Sequence, residues 1–410
     1  MPVGIEAINV YAARASLDVR QLFDARGLDL QRFGNLMMGQ KSVNLPCEDP
    51  VTNGVNAARP LIAALTPSQR NQIELLIVGT ESGLDYAKPI STYIHEYLGL
   101  NRRCRSFEIK HACYGGTAAL QMAASFVAAS PVPGMKALVI AAEAASTADR
   151  GSYWEPSQGA GAVGMLVSAQ PDILALDPGA SGYYTYEVMD TLRPRPDLEA
   201  GDTDLSLMSY LECLHRTYEM YCERVSGADI IATFDYLVFH APFSGMVKGA
   251  HRTLLRKQRG MPPDVVERDF ETRMAPSLIY CSRIGNLYSG SLYAALCSLI
   301  EHVELDGARR IGMYSYGSGC ASEFYSGVLQ DRARDKLAVL QIGAALDARQ
   351  PLTMGEYELV SDLSIERMGG AKDMVFDTSR YRAAYDACLA GRELLVLDRI
   401  TNFHRVYRWS

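Results

Sequence analysis

The sequence predicts an α/β protein whose two halves repeat one plan. A near-continuous apolar run at residues 72–80 is typical of a strand buried on both faces of a sheet. A similar run occupies residues 234–239 in the other half of the chain. Each run follows a helical stretch and leads to one titratable side chain, Glu81 in the first half and His240 in the second. Because open α/β sheets carry their sites at the carboxyl ends of strands, we expect a site there.

The two halves are expected to meet near residue 170. This division gives an N-terminal half over residues 1–170 and a C-terminal half over residues 171–410. In the first half, apolar runs and apolar–polar alternation predict strands at 3–11, 72–80, 103–110, 136–142 and 159–167. Apolar spacing and strong helix formers predict helices at 17–26, 50–65 and 118–129.

The second half continues with the same alternation of helices and strands. Helices are predicted at 205–225 and 289–303, and strands at 234–239 and 310–316. The last of these strands runs into a glycine turn at 317–320. The C-terminal extension begins with charged, helical residues at 330–380 and ends in two runs, 393–398 and 404–409, suited to a closing hairpin.

The composition is that of an ordinary globular protein, with 410 residues, 48% hydrophobic and 21% charged. The net charge of −7 and a pI near 5.6 argue against general nucleic-acid binding. Nine cysteines at irregular spacings argue against zinc ribbons and disulfide frameworks, and they favour a reducing cytoplasm. The N-terminus lacks a signal-peptide pattern, and no apolar run predicts a membrane span.

Cys113 lies where a predicted strand turns sharply into the start of a predicted helix. Free N–H groups and the positive helix end favour a thiolate over a thiol, so we expect a reactive cysteine. Gly115 and Gly116 are expected to let a substrate carbonyl approach the backbone. A buried structural cysteine is the alternative, because free cysteine is among the most buried residue types.

Two further candidates stand at strand ends. Glu81 is expected to be partly desolvated, which raises the pKa of a carboxyl towards the range useful to a general base. The alternative is a helix-capping glutamate or a structural ion pair. His240 precedes an Ala-Pro pair that stiffens the turn, and a core histidine is the alternative reading.

A local basic face interrupts the acidic composition. Four cations recur at helical spacing: Lys248, Arg252, Arg256 and Arg259. No acidic residue occurs from 243 to 263. Such stripes are most often solvated helix faces, and the alternative is a docking surface for an acidic partner.

Six motifs in order along the chain carry a resemblance to a known family. They read ESG at 81–83, KHACYGGT at 110–117, EPSQGAGAV at 155–163, FHAPF at 239–243, GNLYSGSLY at 285–293 and YSYGSG at 314–319. The chain thereby resembles the 3-hydroxy-3-methylglutaryl (HMG) synthases of the thiolase superfamily. The resemblance implies a thiolase-like, internally duplicated αβαβα fold of five layers and a homodimer.

Further stretches are more similar to the branch of this family that works in polyketide pathways. They are 91–102, 186–191, 201–207 and 245–252. Enzymes of that branch condense an acetyl unit from a donor acyl carrier protein (ACP) with a β-ketoacyl group on an acceptor ACP. The resemblance implies that the phosphopantetheine arm arrives on ACP, with no permanently bound cofactor and no metal.

The resemblance also assigns roles. Cys113 is the nucleophile, Glu81 the general acid and base, and His240 polarises the β-keto carbonyl. The backbone N–H groups of Cys113 and Ser318 form the oxyanion hole. Substrate contacts are expected from Asn286, Tyr114 and Lys248, with Asn286 bonding near His240 or to the acceptor thioester and Tyr114 walling the pocket. ACP docking is expected from Arg32, Arg252 and Arg256.

The sequence departs from the family pattern after the nucleophile. Glu143 stands where an Asp is usual, and residues 145–154, expected beside the acyl pocket, also diverge. Three rival readings remain at this point: the CoA-dependent HMG-CoA synthase of mevalonate synthesis, an initiating ketoacyl-ACP synthase and a degenerate non-catalytic subunit. Glu81 argues against the second, and the presence of all three catalytic residues argues against the third.

Overall fold

The strands and helices of the first 170 residues follow the predicted order. The computed structural model describes residues 2–144, 150–195, 198–368 and 370–410. The first strands are β1 (Gly4–Ala12), β2 (Ala15–Asp18), β3 (Gln40–Val43), β4 (Ile73–Gly79), β5 (Arg105–Ile109), β6 (Lys136–Ala144) and β7 (Ala160–Ser168). The helices among them are α1 (Val19–Arg26), α2 (Leu30–Leu36), α3 (Pro50–Ala63), α4 (Pro67–Asn71), α5 (Ser91–Tyr97) and α6 (Gly115–Ala129).

The remaining residues add ten strands and ten helices to the described chain. The strands are β8 (Leu174–Thr185), β9 (Thr191–Arg195), β10 (Leu198–Gly201), β11 (Tyr236–Phe239), β12 (Arg309–Gly317), β13 (Ala321–Leu329), β14 (Gln350–Pro351), β15 (Met374–Val375), β16 (Leu395–Thr401) and β17 (His404–Trp409). The helices are α7 (Thr203–Arg224), α8 (Ser244–Arg259), α9 (Pro263–Arg273), α10 (Ala275–Leu278), α11 (Cys281–Ile284), α12 (Ser291–His302), α13 (Ala333–Ala338), α14 (Ile342–Asp347), α15 (Met354–Met368) and α16 (Arg382–Cys388). Short 3-10 turns occupy Glu155–Ser157, Tyr288–Gly290 and Thr378–Tyr381.

The helix predicted over 17–26 starts later than expected. Residues 15–18 are extended because they pair with β3 in antiparallel register, with Ala15 opposite Val43. Helix α1 begins at Val19, where the Asp18 side chain accepts a hydrogen bond from the Gln21 N–H and caps the helix. Cross-strand pairing therefore overrides helix propensity in this short segment.

One nine-stranded sheet organises the molecule, and its strand order is mirrored. The order is β11-β12-β13-β8-β1-β7-β6-β4-β5. The set β4-β6-β7-β1 has a parallel pair followed by two antiparallel pairs. The set β11-β12-β13-β8 repeats that pattern. The predicted duplication is thus visible in the topology, while the boundary at residue 170 stays a prediction.

The central strands are buried on both faces, as their apolar runs predict. On β4, Leu75 and Ile77 pack in one core cluster with apolar side chains of α6. The alternate residues Leu76 and Val78 pack in a second cluster with side chains of α3. Helices α6 and α12 are joined by the hydroxyl groups of Thr117 and Tyr293, 2.9 Å apart.

The C-terminal hairpin of β16 and β17 packs on the first half of the chain. Leu395, Leu397 and Tyr407 belong to the same core cluster as the buried side chains of α3. The Tyr407 hydroxyl donates to Asp49 Oδ2 at 2.8 Å, and the Arg405 guanidinium pairs with the same carboxylate. Within the described ranges, no helix combines the length and apolar character needed to cross a membrane.

Candidate active site

A cavity of about 720 Å³ collects most of the candidate residues. Its walls include the predicted site residues Arg32, Glu81, Cys113, His240, Asn286 and Ser318. Glu81 follows β4 and His240 follows β11, which occupy equivalent places in the two halves of the mirrored sheet. The carboxyl ends of strands thus form the site, as expected for α/β sheets.

The loop before α6 presents Cys113 to the cavity through a tight backbone turn. Ala112 has a φ of 39°, in the left-handed region that side chains rarely adopt. The glycines that follow serve packing between segments of the protein: a Cβ on Gly116 would lie 2.2 Å from the Ser289 carbonyl oxygen. A Cβ on Gly79, at the end of β4, would lie 2.5 Å from the Gly115 carbonyl carbon. These glycines therefore allow close backbone packing, and their role in admitting a substrate carbonyl stays a prediction.

The Cys113 thiol faces a carboxylate. Its Sγ lies 3.8 Å from Glu81 Oε2. Burial, together with the charge of Glu81, raises the pKa of the Cys113 thiol well above its usual range. The expectation of a thiolate stabilised by the helix end is therefore wrong, because desolvation and a neighbouring anion outweigh the helix. The raised pKa favours the protonated thiol at Cys113 over the thiolate.

The Glu81 carboxyl is largely buried beside an arginine. Its side chain is 15% exposed, and burial raises the pKa of the carboxyl to about 8. Glu81 Oε1 lies 3.0 Å from Nη2 of Arg193, whose positive charge favours the ionised form. This raised pKa agrees with the prediction of a partly desolvated carboxyl at a strand end.

Glu143, the residue that replaces the usual Asp, lies directly behind Glu81. Its carboxylate accepts hydrogen bonds from the Ser82 hydroxyl at 2.7 Å, from the Ser289 hydroxyl and from the Glu81 N–H at 3.2 Å. Burial raises the pKa of Glu143 to about 6. The longer side chain thus ties the loop that carries Glu81 to the 3-10 turn at Tyr288–Gly290.

His240 is a neutral imidazole in an apolar setting. It is 1% exposed, and burial lowers its pKa to about 3. Its carbonyl accepts from the Tyr210 hydroxyl at 2.7 Å, and its N–H donates to the Tyr314 carbonyl at 2.8 Å. Neither ring nitrogen has a hydrogen-bond partner in the described part of the chain, so both are available to a ligand.

The turn that contains Ser318 lies against the Cys113 loop. A Cβ on Gly317 would lie 2.5 Å from the Tyr114 backbone nitrogen, so only glycine allows this approach. Asp190 fixes the turn by accepting hydrogen bonds from the Gly319 N–H at 2.9 Å and from the Tyr316 hydroxyl at 2.5 Å. Both predicted oxyanion-hole residues therefore line one cavity.

Asn286 lines the cavity, but its side chain does not bond to His240. Its Oδ1 accepts from the Tyr288 N–H at 2.7 Å and from the Ser291 hydroxyl at 2.8 Å. These two bonds orient the amide and leave its Nδ2 group for other contacts. Both imidazole nitrogens of His240 are unpartnered in the described part of the chain, and the alternative contact of Asn286, with the acceptor thioester, stays a prediction.

Two predicted substrate contacts are not brought to the cavity. The Tyr114 hydroxyl donates to Glu323 Oε2 at 2.8 Å, and Tyr114 does not line the cavity. Lys248 Nζ pairs with Glu267 on α9. Both side chains have carboxylate partners on other secondary-structure elements and do not line the cavity, and their contact with substrate stays a prediction.

The predicted docking cations divide into two groups. Arg32 on α2 lines the cavity and stacks over the Tyr153 ring, 4.2 Å from its centroid. Arg252 and Arg256 on α8 lie outside the cavity and have no acidic partner among the described residues. Helix α2 contacts the start of α8, where a Cβ on Gly245 would overlap the Asn35 carbonyl oxygen.

Sequence reasoning missed two charged residues of the site, Arg193 and Glu199. They come from the β9–β10 hairpin and lie 3.1 Å apart beside Glu81. No local pattern marks them, since their role depends on a contact between distant segments. Of the divergent stretch 145–154, Tyr153 and Trp154 line the cavity, and residues 145–149 lie outside the described residues.

Family models match nearly the whole chain. Residues 1–172 match "Hydroxymethylglutaryl-coenzyme A synthase N terminal". Residues 174–260 and 261–379 match "Hydroxymethylglutaryl-coenzyme A synthase C terminal". The matched ranges include every residue of the cavity named above.

Individual proteins are similar over comparable lengths. The chain is 49% identical to the polyketide biosynthesis 3-hydroxy-3-methylglutaryl-ACP synthase PksG of Bacillus subtilis (strain 168), covering 99% of each chain. It is 38% identical to the hydroxymethylglutaryl-CoA synthase of Enterococcus faecalis, covering 87% of this chain and 91% of that one. The curacin biosynthetic pathway HMG synthase, solved in complex with acetyl donor-ACP, is 48% identical with a TM-score of 0.98 over 100% of both chains.

Proposed function

Because this chain belongs to the hydroxymethylglutaryl-CoA synthase family and has its thiolase-like fold, we propose that it acts on carrier-bound substrates in polyketide biosynthesis. The predicted family, fold and enzyme class are confirmed. The proposed reaction joins an acetyl unit from a donor ACP to a β-ketoacyl group on an acceptor ACP. The 49% identity to PksG and the 48% identity to the curacin enzyme support ACP as the carrier.

In the first step, Cys113 takes the acetyl group from the donor thioester. The sulfur bonds to the acetyl carbon, the bond to the donor sulfur breaks, and the Cys113 proton passes to the departing pantetheine thiol. The N–H groups of Cys113 and Ser318 stabilise the tetrahedral oxyanion.

In the second step, acetyl-Cys113 becomes a carbon nucleophile. The Glu81 carboxylate removes a methyl proton, and the resulting enolate attacks the β-keto carbon of the acceptor. Protonated Glu81 then donates its proton to the new tertiary alkoxide. Water hydrolyses the Cys113 thioester, which releases the product as a free carboxylate on the acceptor ACP and restores the thiol.

His240 and Asn286 are proposed to hold the acceptor. A neutral imidazole donates one N–H, and the unpartnered ring nitrogens of His240 suit a hydrogen bond to the β-keto oxygen. Polarising that carbonyl makes its carbon more electrophilic. The Asn286 Nδ2 group is the second donor on the same wall.

The carrier docks through cations at and beside the cavity. Arg32 lies at the cavity, and Arg252 and Arg256 continue the positive surface along α8. ACP is acidic and delivers its substrate on a phosphopantetheine arm, so these charges favour association. We propose no permanently bound cofactor and no metal, and the cytoplasm as the compartment.

The facing arrangement of Cys113, Glu81 and neutral His240 in one cavity is the observation that carries this proposal. Mass spectrometry after incubation with acetyl-ACP tests it, with an acetyl adduct on Cys113 as the expected result. A parallel incubation with acetyl-CoA tests the CoA-dependent alternative, which the 38% identity to the Enterococcus faecalis enzyme favours. Faster labelling by acetyl-CoA than by acetyl-ACP would exclude ACP as the preferred donor.

Reversing one docking charge should separate carrier recognition from chemistry. In Arg256→Glu, turnover with acetyl-ACP is expected to fall about tenfold, because charges outside the cavity change mainly the association rate. Acylation by a small acetyl-pantetheine thioester should stay near the native rate. Added salt should slow the native enzyme more than the variant, since it screens an attraction that the variant has lost. Equal losses with acetyl-ACP and with the small thioester would show that Arg256 supports the fold and not carrier binding.

The protein is proposed to be a homodimer. Strand β5 is an edge of the nine-stranded sheet, and Phe107 on it is 37% exposed. Met122 on the neighbouring helix α6 is 55% exposed. An open edge beside exposed apolar side chains is suited to pairing with a second copy. Light scattering should give about twice the chain mass of 45.0 kDa, and a monomer mass at working concentration would contradict the proposal.

A further inference from the structure

A hairpin from the second half of the chain reaches the general base of the first half. Arg193 on β9 places Nη2 3.0 Å from Glu81 Oε1. The other oxygen of the same carboxylate, Oε2, faces Cys113 Sγ at 3.8 Å. The two oxygens of Glu81 therefore have separate partners, one cationic and one at the reacting centre.

Arg193 is itself held in place. The same Nη2 lies 3.1 Å from Glu199 Oε2, an oxygen that also accepts from Gln158 Nε2 at 2.7 Å. The guanidinium lies over the Tyr288 ring, 5.2 Å from its centroid. The Arg193 side chain is 13% exposed, so this cation is fixed by buried partners and has little freedom to leave.

We propose that Arg193 is a positioning residue for the carbon–carbon bond-forming step. By holding Glu81 Oε1, it keeps Oε2 aimed at the methyl group of an acetyl unit on Cys113. Its charge also favours the ionised carboxylate that must take the methyl proton. This inference rests on the proposed function and adds to it a residue supplied by the opposite half of the chain.

Arg193 is the charged group that favours ionisation of the Glu81 carboxyl. Three groups face the Glu81 carboxylate: Glu143 on β6, Glu199 on β10 and the Cys113 thiol before α6. The two glutamates disfavour ionisation of Glu81. Burial acts in the same direction and brings the pKa of Glu81 to about 8. Among the described residues around Glu81, Arg193 is the charge that opposes this shift, so its loss should raise the pKa further.

Two variants, with the half-reactions measured separately, test the inference. In Arg193→Gln, acylation of Cys113 by acetyl-ACP should fall less than about threefold, because thioester exchange needs no carbanion. Condensation of the acetylated enzyme with acetoacetyl-ACP should fall about 100-fold near pH 7, the scale of a misplaced general base. The acid limb of the pH profile of condensation by this variant should move to higher pH by about one unit. Arg193→Lys should return the acid limb most of the way to its native pH, because it keeps the positive charge. It should not restore the condensation rate, because a single ammonium group cannot reproduce the planar hydrogen-bond donors of a guanidinium.

Arg195→Gln is the matched control, since Arg195 is an exposed residue on the same strand that does not line the cavity, and both half-reactions should be unchanged. Equal losses of acylation and condensation in Arg193→Gln, or an unmoved acid limb, would overturn the inference. If the Gln variant does not fold, the Lys variant decides: a loss confined to condensation supports the inference, and equal losses overturn it. Native enzyme that takes no acetyl group from acetyl-ACP would overturn the proposed function itself, and this inference with it.

Discussion

Cys113→Ser is expected to abolish acyl transfer while the fold is retained. Removing a catalytic nucleophile costs about 10⁴-fold or more in rate, and a serine hydroxyl is a much weaker nucleophile towards a thioester than a cysteine sulfur. Mass spectrometry should find no adduct at residue 113 after incubation with acetyl-ACP.

The fold should survive this change because Cys113 is partly exposed to the cavity and serine has nearly its size. An unchanged thermal unfolding curve would establish that point. Cys104→Ser is the matched control, because Cys104 is another partly exposed cysteine and does not line the cavity. Product formation by the Cys113 variant at a near-native rate would rule out the assignment of the nucleophile.

Glu81→Gln is expected to self-acylate but not to condense. The amide keeps the size of the side chain, yet it cannot take the methyl proton or return it to the alkoxide. General acid–base groups contribute 10²- to 10⁴-fold, and one group serving two proton steps places the expected loss at about 10³-fold or more. Single-turnover assays should show acetyl-Cys113 forming and then persisting in the presence of acetoacetyl-ACP.

Glu74→Gln is a suitable control for this variant, since Glu74 lies on the same strand, β4, outside the cavity. It should condense at the native rate. If Glu81→Gln loses acylation and condensation in equal measure, the carboxylate supports the structure of the site and is not the base.

The sequence predicts Cys113, Glu81 and His240 because each stands in a local pattern. Glu81 and His240 follow buried strands, which apolar runs reveal, and Cys113 precedes a helix of strong helix formers. Arg193 and Glu199 could not be found in this way, since they belong to a short hairpin without periodicity. Their contacts depend on where the tertiary fold brings that hairpin.

Burial and side-chain direction account for the other failures. The helix end beside Cys113 can be predicted from the sequence. The desolvation that raises the pKa of the Cys113 thiol depends on burial in the folded protein. Tyr114 is adjacent to the nucleophile in sequence, yet its side chain reaches Glu323 on β13. Lys248 was placed correctly on a basic helix, but its partner Glu267 lies on the next helix, which the charge pattern of α8 alone does not reveal.

Within the described residues, the two equivalent strand ends of the mirrored sheet lead to different side chains. Glu81 and His240 follow β4 and β11, which hold the same rank in their respective repeats. A perfectly symmetric pair would place the same side chain at both positions, and two carboxylates would repel the enolate that one of them creates. Catalysis here needs opposite electronic demands at the two ends of the substrate, electron supply at the acetyl group and electron withdrawal at the ketone. In the proposed mechanism each repeat meets one of these demands, so the proposed reaction requires both halves of the chain.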